Sequence, residues 1–154
     1  RFVQVSQGGW DLHGGIAQRA KRNADQLDPG IGALIDDLKD KGMFEDTLIY
    51  ITSEFGRTST EDGGGGRSHN ARGFSTVFVG GGVKGGFSYG ATDEIGSAAV
   101  KDKVHVKDTH ATILELLGFD HEQLAFRTGG RDFRLTQPTR TLPQGGLPVK
   151  GIIA

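Results

Sequence analysis

Asp11 and His13 stand two residues apart, just past the turn Gln7-Gly8-Gly9 that follows the segment Phe2-Val3-Gln4-Val5-Ser6. In an extended chain that spacing puts both side chains on one side. A carboxylate and an imidazole converging in this way suit Zn²⁺ or a similar ion. The competing reading is a turn: Asp11 in an Asx-turn beside glycines, with His13 merely exposed. On the pair alone, the turn is the simpler reading. Glu54 and Arg57 come after the apolar run Leu48-Ile49-Tyr50-Ile51. Open α/β sheets bind ligands beyond the carboxyl ends of their strands, which is where Glu54 falls. Arg57 could grip an anionic oxygen bidentately. Equally, Glu54 and Arg57 could form a surface pair of little worth. His69, in Arg67-Ser68-His69-Asn70, ends a glycine-rich stretch, and a lone loop histidine is more often solvated than ligating. Gly80-Gly81-Gly82-Val83-Lys84-Gly85-Gly86 could cradle a phosphate, but it has neither the dinucleotide-binding spacing nor the P-loop pattern. A tight hairpin over Val83–Tyr89 fits it better. His110 falls in a first helical turn beside Asp108, where a neutral structural role is expected, and His121 reads as exposed.

These side chains need elements to carry them. Residues 2–6 alternate as a short strand would. A helix is expected over about 16–26. Asp28-Pro29 then reads as a new helix start, Asp as N-cap and Pro at the first helical position. Ile31, Leu34, Ile35 and Leu38 mark one face, and Gly42 closes the helix. Thr47–Thr52 reads as a strand covered on both faces of a parallel sheet, so strand, helix and strand form a βαβ unit. Residues 56–73 read as a long polar loop with a glycine run at 63–66, functional or disordered by its length. Ser75–Val79 is another strand. Asp108 caps a helix carrying Ile113, Leu114, Leu116 and Leu117, with Gly118 at its end. Residues 121–154 read as short strands and turns, extending the domain formed by 1–120. The expectation is an α/β fold, a largely parallel sheet flanked by helices with a small β-rich C-terminal extension. Three strand ends would then deliver acids and imidazoles to one sheet edge.

Composition narrows the classes. One domain is expected from 154 residues, long enough to bury a core. The 18 basic and 19 acidic residues nearly cancel, which argues against nucleic-acid or membrane binding by bulk charge. Without cysteine there is no disulfide, thiolate nucleophile or Cys-type zinc site. No apolar run reaches the length of a membrane helix. The chain opens on Arg1 in what reads as a strand under way, so the true N-terminus is expected upstream.

The motifs, taken in order, resemble the DUF1501 family. They are Gly8-Gly9-Trp10-Asp11-x-His13-Gly14, Glu54-Phe55-Gly56-Arg57-Thr58, Gly66-Arg67-x-His69, the Gly80–Gly86 run, Gly90-Ala91-Thr92-Asp93-Glu94-Ile95-Gly96, Asp108-x-His110-Ala111-Thr112-Ile113-Leu114 and Gly130-Arg131-Asp132-Phe133-Arg134-Leu135-Thr136. The resemblance covers nearly the whole chain. It implies an alkaline phosphatase-like, sulfatase-like relationship and an exported, periplasmic or extracellular location. It also implies one divalent-metal site from Asp11, His13 and His69, with the ion Zn, Ca, Mn or Mg. Glu54 would lie toward a second metal position whose usual His is Phe55 here. Ser68 stands where the family usually has Asp, and Asn70 where it often has His. The nucleophile and a further metal-binding Asp are expected from an N-terminal half that this chain lacks, so the fragment alone is expected to be inactive.

The resemblance therefore implies a metal-dependent hydrolase of sulfate or phosphate esters, acting on a small-molecule or glycan ester. Arg57 would neutralise charge on the transferring group. The rival is a domain that has lost the chemistry and binds a partner or glycan, with Phe55, Ser68 and Asn70 as signs of erosion. A third reading is a nucleotide-binding domain built on the triple glycine.

Overall fold

The computed structural model describes residues 1–154. Its architecture corrects the expected parallel α/β sheet. There are two α-helices, α1 (Ile16–Asp40) and α2 (Val106–Leu116). The strands are β1 (Leu48–Ile51), β2 (Gly56–Glu61), β3 (Arg67–Asn70), β4 (Val77–Gly80), β5 (Ala91–Thr92), β6 (Ala99–Lys101), β7 (Phe126–Thr128) and β8 (Arg131–Phe133). They form four separate two-stranded sheets, β1–β4, β2–β3, β5–β6 and β7–β8, every one antiparallel.

The βαβ reading fails for two reasons. Residues 2–6 form no strand, and Phe2, Val3 and Val5 are exposed. Between β1 and β4 the chain runs through a hairpin, with no helix to make the crossover that parallel strands require. β1 and β4 fall where apolar runs were expected, but they run in opposite directions, Tyr50 opposite Phe78 with ring centroids 4.7 Å apart. Aromatic pairs facing each other across antiparallel strands stabilise the ladder.

α1 is one continuous helix and not two. Pro29 lies inside it. Proline has no N–H to give the carbonyl of Asp25, so one helical bond is missing there, while the turns on either side continue. Gly42, in a left-handed conformation at φ 65°, comes after the helix end as expected. The start of α1 has no side-chain cap. Instead, the N–H groups of Gly15 and Ile16 donate to the carbonyls of Gly64 and Gly65, at 2.9 and 3.0 Å. The first N–H groups of a helix have no partner within it, and here a distant turn supplies one.

That turn is the expected polar loop, folded. β2 and β3 pair as a hairpin, and Gly63, Gly64 and Gly65 turn the chain with φ between 55° and 73°. The hairpin presses on the segment before α1. The N–H of Arg67 donates to the Leu12 carbonyl at 3.0 Å, and Gly14 and Gly65 form an antiparallel bridge. A Cβ on Gly66 would overlap the His13 carbonyl group and the Gly14 nitrogen, so this position accepts only glycine.

Little of the chain is buried. Of 154 residues 11 are, and among the apolar ones only Leu12, Ala111 and Leu142. The expected substantial core is therefore absent, and buried polar groups and backbone bonds share its work. Asn70 is buried, donating to the carbonyl of Ser97 and accepting from the N–H of Arg72. At α2, His105 is the N-cap and Asp108 closes a capping box from inside the first turn, in place of being the cap itself. Gly118 lies just beyond this helix at φ 79°. The C-terminal residues pack back: Leu147 N–H donates to Asp108, Val149 N–H to the buried Thr112 hydroxyl, and Val83 bridges Ile153. Val83 thus pairs with the far end of the chain and forms no local hairpin with Tyr89.

The close approach at Gly66 makes stability sensitive to one methyl group. Gly66→Ala is expected to lower unfolding free energy by at least about 3 kcal/mol in denaturant melts. Gly8→Ala, with open space around it, should leave stability unchanged. Equal midpoints for the two variants would refute the close-approach account. For His110, burial first and the Lys107 charge second lower its pKa below the ordinary value of 6.5. The unfolded chain therefore binds the proton more readily, and stability should fall as pH drops below about 6.5. His110→Gln should flatten that part of a melting-temperature profile, and an unchanged profile would show that another group carries it.

Candidate metal centre

Three elements assemble the site. The loop before α1 brings Asp11 and His13. β2 and β3 bring Arg57 and His69, which lie directly opposite each other in the hairpin register. Opposed residues of an antiparallel pair share a face, so both side chains reach the same place. Between Arg57 and Glu61 the register shifts. Such a bulge re-aims side chains near a strand end. The Thr58 hydroxyl accepts from the Ser68 N–H across it, at 3.1 Å.

Asp11 is the hub. Its Oδ1 accepts from Arg57 Nη2 at 2.6 Å, lies 2.9 Å from His69 Nε2 and stands 3.1 Å from His13 Nε2. The two Nε2 atoms are 3.0 Å apart. Ligands held about 2.0–2.1 Å from one ion stand roughly 3 Å from each other, so the triangle fits a single divalent cation. The donors also suit it in kind, with two imidazole nitrogens and one carboxylate oxygen. Metal ligands must be deprotonated. The Arg57 hydrogen bond, and after it that of His69, lowers the Asp11 pKa to about 2. All three residues are exposed, which leaves the centre open to a ligand from solvent.

The other expected residues fare differently. Arg57 is engaged inside the site through three of its five N–H groups: Nη1 donates to the Arg67 carbonyl, and Nη2 to the Trp10 carbonyl as well as to Asp11. It braces Asp11 and the loop carrying it. Glu54 is exposed and outside the cluster of Asp11, His13 and His69. Phe55 stacks on the His69 ring, centroids 4.2 Å apart. Asn70 holds the Gly96–Ser97 loop and lies outside the cluster. His121 is half-buried, its ring 3.0 Å from the buried Thr136 hydroxyl. In the triple-glycine segment, the N–H groups of Gly81, Val83 and Lys84 already donate to Thr47, Gly80 and Ile152. They are not free to cradle a phosphate.

Sequence reasoning missed Asp62. Its Oδ2 lies 2.9 Å from His13 Nδ1, on the side of the ring away from the cluster. An acid immediately before the glycine run was the only available signal, and nothing in the spacing tied it to a histidine 49 positions earlier.

The chain belongs to the family described as Protein of unknown function (DUF1501), whose model matches residues 1–145. No curated protein and no solved structure matches the chain. No helix is long and apolar enough to cross a membrane.

The electrostatics of Asp11 can be checked directly in the metal-free protein. Arg57→Ala should raise the Asp11 pKa from about 2 toward 3.8, as read by carboxyl-carbon NMR titration. Because Asp11 is depressed in the folded state, its stabilising contribution is present above the ordinary carboxylate range and is lost as pH falls toward 2. An Asp11 that titrates identically with and without Arg57 would contradict the assignment.

Proposed function

We propose that Asp11, His13 and His69 hold one divalent metal ion, and that this centre serves a sulfatase-like hydrolase acting on sulfate or phosphate esters. The observation that carries the reading is the convergence of three ligand atoms of the right kind from two distant segments, within 4.8 Å of one another. Two imidazoles favour zinc over manganese, calcium and magnesium, which suit oxygen ligands. A bound ion would polarise a phosphoryl or sulfuryl oxygen. The chain's own residues prepare for that. Arg57 keeps Asp11 ionised and in place. Phe55 shields one face of His69. Three protein ligands leave further positions open, as hydrolytic centres do. A small-molecule or glycan ester is the proposed substrate class, and an exported location belongs to the same proposal.

A second reading is favoured by one observation. Three of the five N–H groups of Arg57 donate within the site and Glu54 lies outside it, which leaves Arg57 fewer donors for an anionic substrate. On this reading the domain binds a metal, or a metal-bridged glycan or partner, without turnover.

Metal analysis and calorimetry with Zn²⁺ and Mn²⁺ test the shared claim. One equivalent is expected for the wild type. Asp11→Ala and His13→Ala should each weaken binding beyond the roughly 10–100-fold typical of an outer partner, and Glu54→Ala should change nothing. Full stoichiometric binding retained by Asp11→Ala and His13→Ala would overturn the site. Turnover of aryl sulfates or phosphates by the full-length metal-loaded protein separates the hydrolase from the binding reading.

A further inference from the structure

Asp62 is not among the three ligands, yet its carboxylate meets one charged or polar side chain, the His13 ring. Asp11 and Asp62 lie on opposite sides of that ring, one at Nε2 and the other at Nδ1. A carboxylate at neutral pH can only accept a hydrogen bond. At Nε2 the geometry differs: Asp11 Oδ1 is near at 3.1 Å but makes no hydrogen bond there, and the hydrogen-bond partner is His69 Nε2 at 3.0 Å, which itself lies 2.9 Å from Asp11. With the His69 proton on Nε2, facing Asp11, His13 Nε2 accepts, and the proton of a neutral His13 ring sits on Nδ1, donated to Asp62. The opposite tautomer would set lone pair against carboxylate at Asp62 and put a proton where the ligand atom must be.

The backbone gives this contact its direction. Asp62 stands at the base of the glycine turn, its N–H donating to the Gly66 carbonyl at 3.1 Å. Gly66 presses on the His13 backbone, and the Arg67 N–H holds the Leu12 carbonyl. One short turn thus grips His13 twice, by its main chain and by its ring. The Asp62 side chain has no other hydrogen-bond partner, so it is not needed to close the hairpin.

We propose that Asp62 is a positioning residue that fixes His13 in the Nδ1–H tautomer and orients it as an Nε2 metal ligand. The proposal deepens the metal-centre reading and rests on it for its effect on affinity. Its effect on the ring stands independently. Carboxylates behind ligating histidines typically change metal affinity about 10–100-fold when removed.

Two measurements on the full chain test it. Nitrogen-15 NMR of the metal-free protein should show His13 with the proton on Nδ1 in the wild type. Asp62→Ala should convert it to a mixture with the Nε2–H form, and Asp62→Asn, whose side-chain carbonyl can still accept, should restore Nδ1–H. Calorimetry with Zn²⁺ should find affinity about 10–100-fold weaker in Asp62→Ala and largely recovered in Asp62→Asn. Unaltered amide shifts at Gly15, Ile16 and Arg67 confirm that the hairpin contact persists in each variant. A wild-type ring protonated on Nε2, or tautomer and affinity both unchanged in Asp62→Ala, overturns the proposal. If the wild type binds no Zn²⁺, the metal-centre reading fails, and the ring tautomers alone uphold or overturn the hold of Asp62 on His13.

Discussion

The backbone of His13 and Gly14 lies so close to Gly65 and Gly66 that no Cβ fits between them at position 66. Most of the metal centre depends on that approach. It brings residues some 50 positions apart in sequence into one place without a large sheet or a large core to do so. It also supplies carbonyl acceptors for the first N–H groups of α1, so the helix start and the ligand loop are held by one turn. The glycine run does two jobs. Its left-handed residues turn the chain, and its last residue removes the side chain that would keep the segments apart.

On this frame the polar groups gather around one carboxylate oxygen. Asp11 collects Arg57, His13 and His69 around one oxygen, and Asp62 faces His13 from the far side. Exposed ion pairs contribute little to stability, so this arrangement is poorly explained as a device for holding the fold. Concentrating a depressed carboxylate and two imidazole nitrogens within one ion's reach makes chemical sense as a ligand set. The thin burial elsewhere points the same way. The buried polar residues Asn70, Thr112 and Thr136 each tie one segment to another, where a larger hydrophobic core would ordinarily do so.

Local signals in the sequence were legible where the physics is local. Gly42 and Gly118 end helices because left-handed caps favour glycine, and the apolar runs around Leu48–Ile51 and Val77–Gly80 are strands. Strand direction was not legible, because an apolar run does not say which neighbour it pairs with. The hairpin over residues 56–70 was hidden for a related reason: Gly-Arg-Thr-Ser-Thr-Glu has no apolar alternation, and its fold comes from backbone contacts with the loop before α1. Pro29 misled because its start signal is correct for an isolated segment, whereas here the preceding turns are already helical. At the site, Asp11, His13 and His69 were legible from residue type and resemblance, and they do meet, though at a hairpin face and not at the edge of a parallel sheet. Glu54 did not join them. Asp62 was invisible because its partner is distant in sequence.

The central claim is that one ion is shared by Asp11, His13 and His69. X-ray absorption spectroscopy of the zinc-loaded protein tests it most directly. The expected first shell has two imidazole nitrogens and a carboxylate oxygen at about 2.0–2.2 Å, with the multiple scattering that imidazole rings produce. A shell of oxygen ligands alone, with no imidazole scattering, would contradict it.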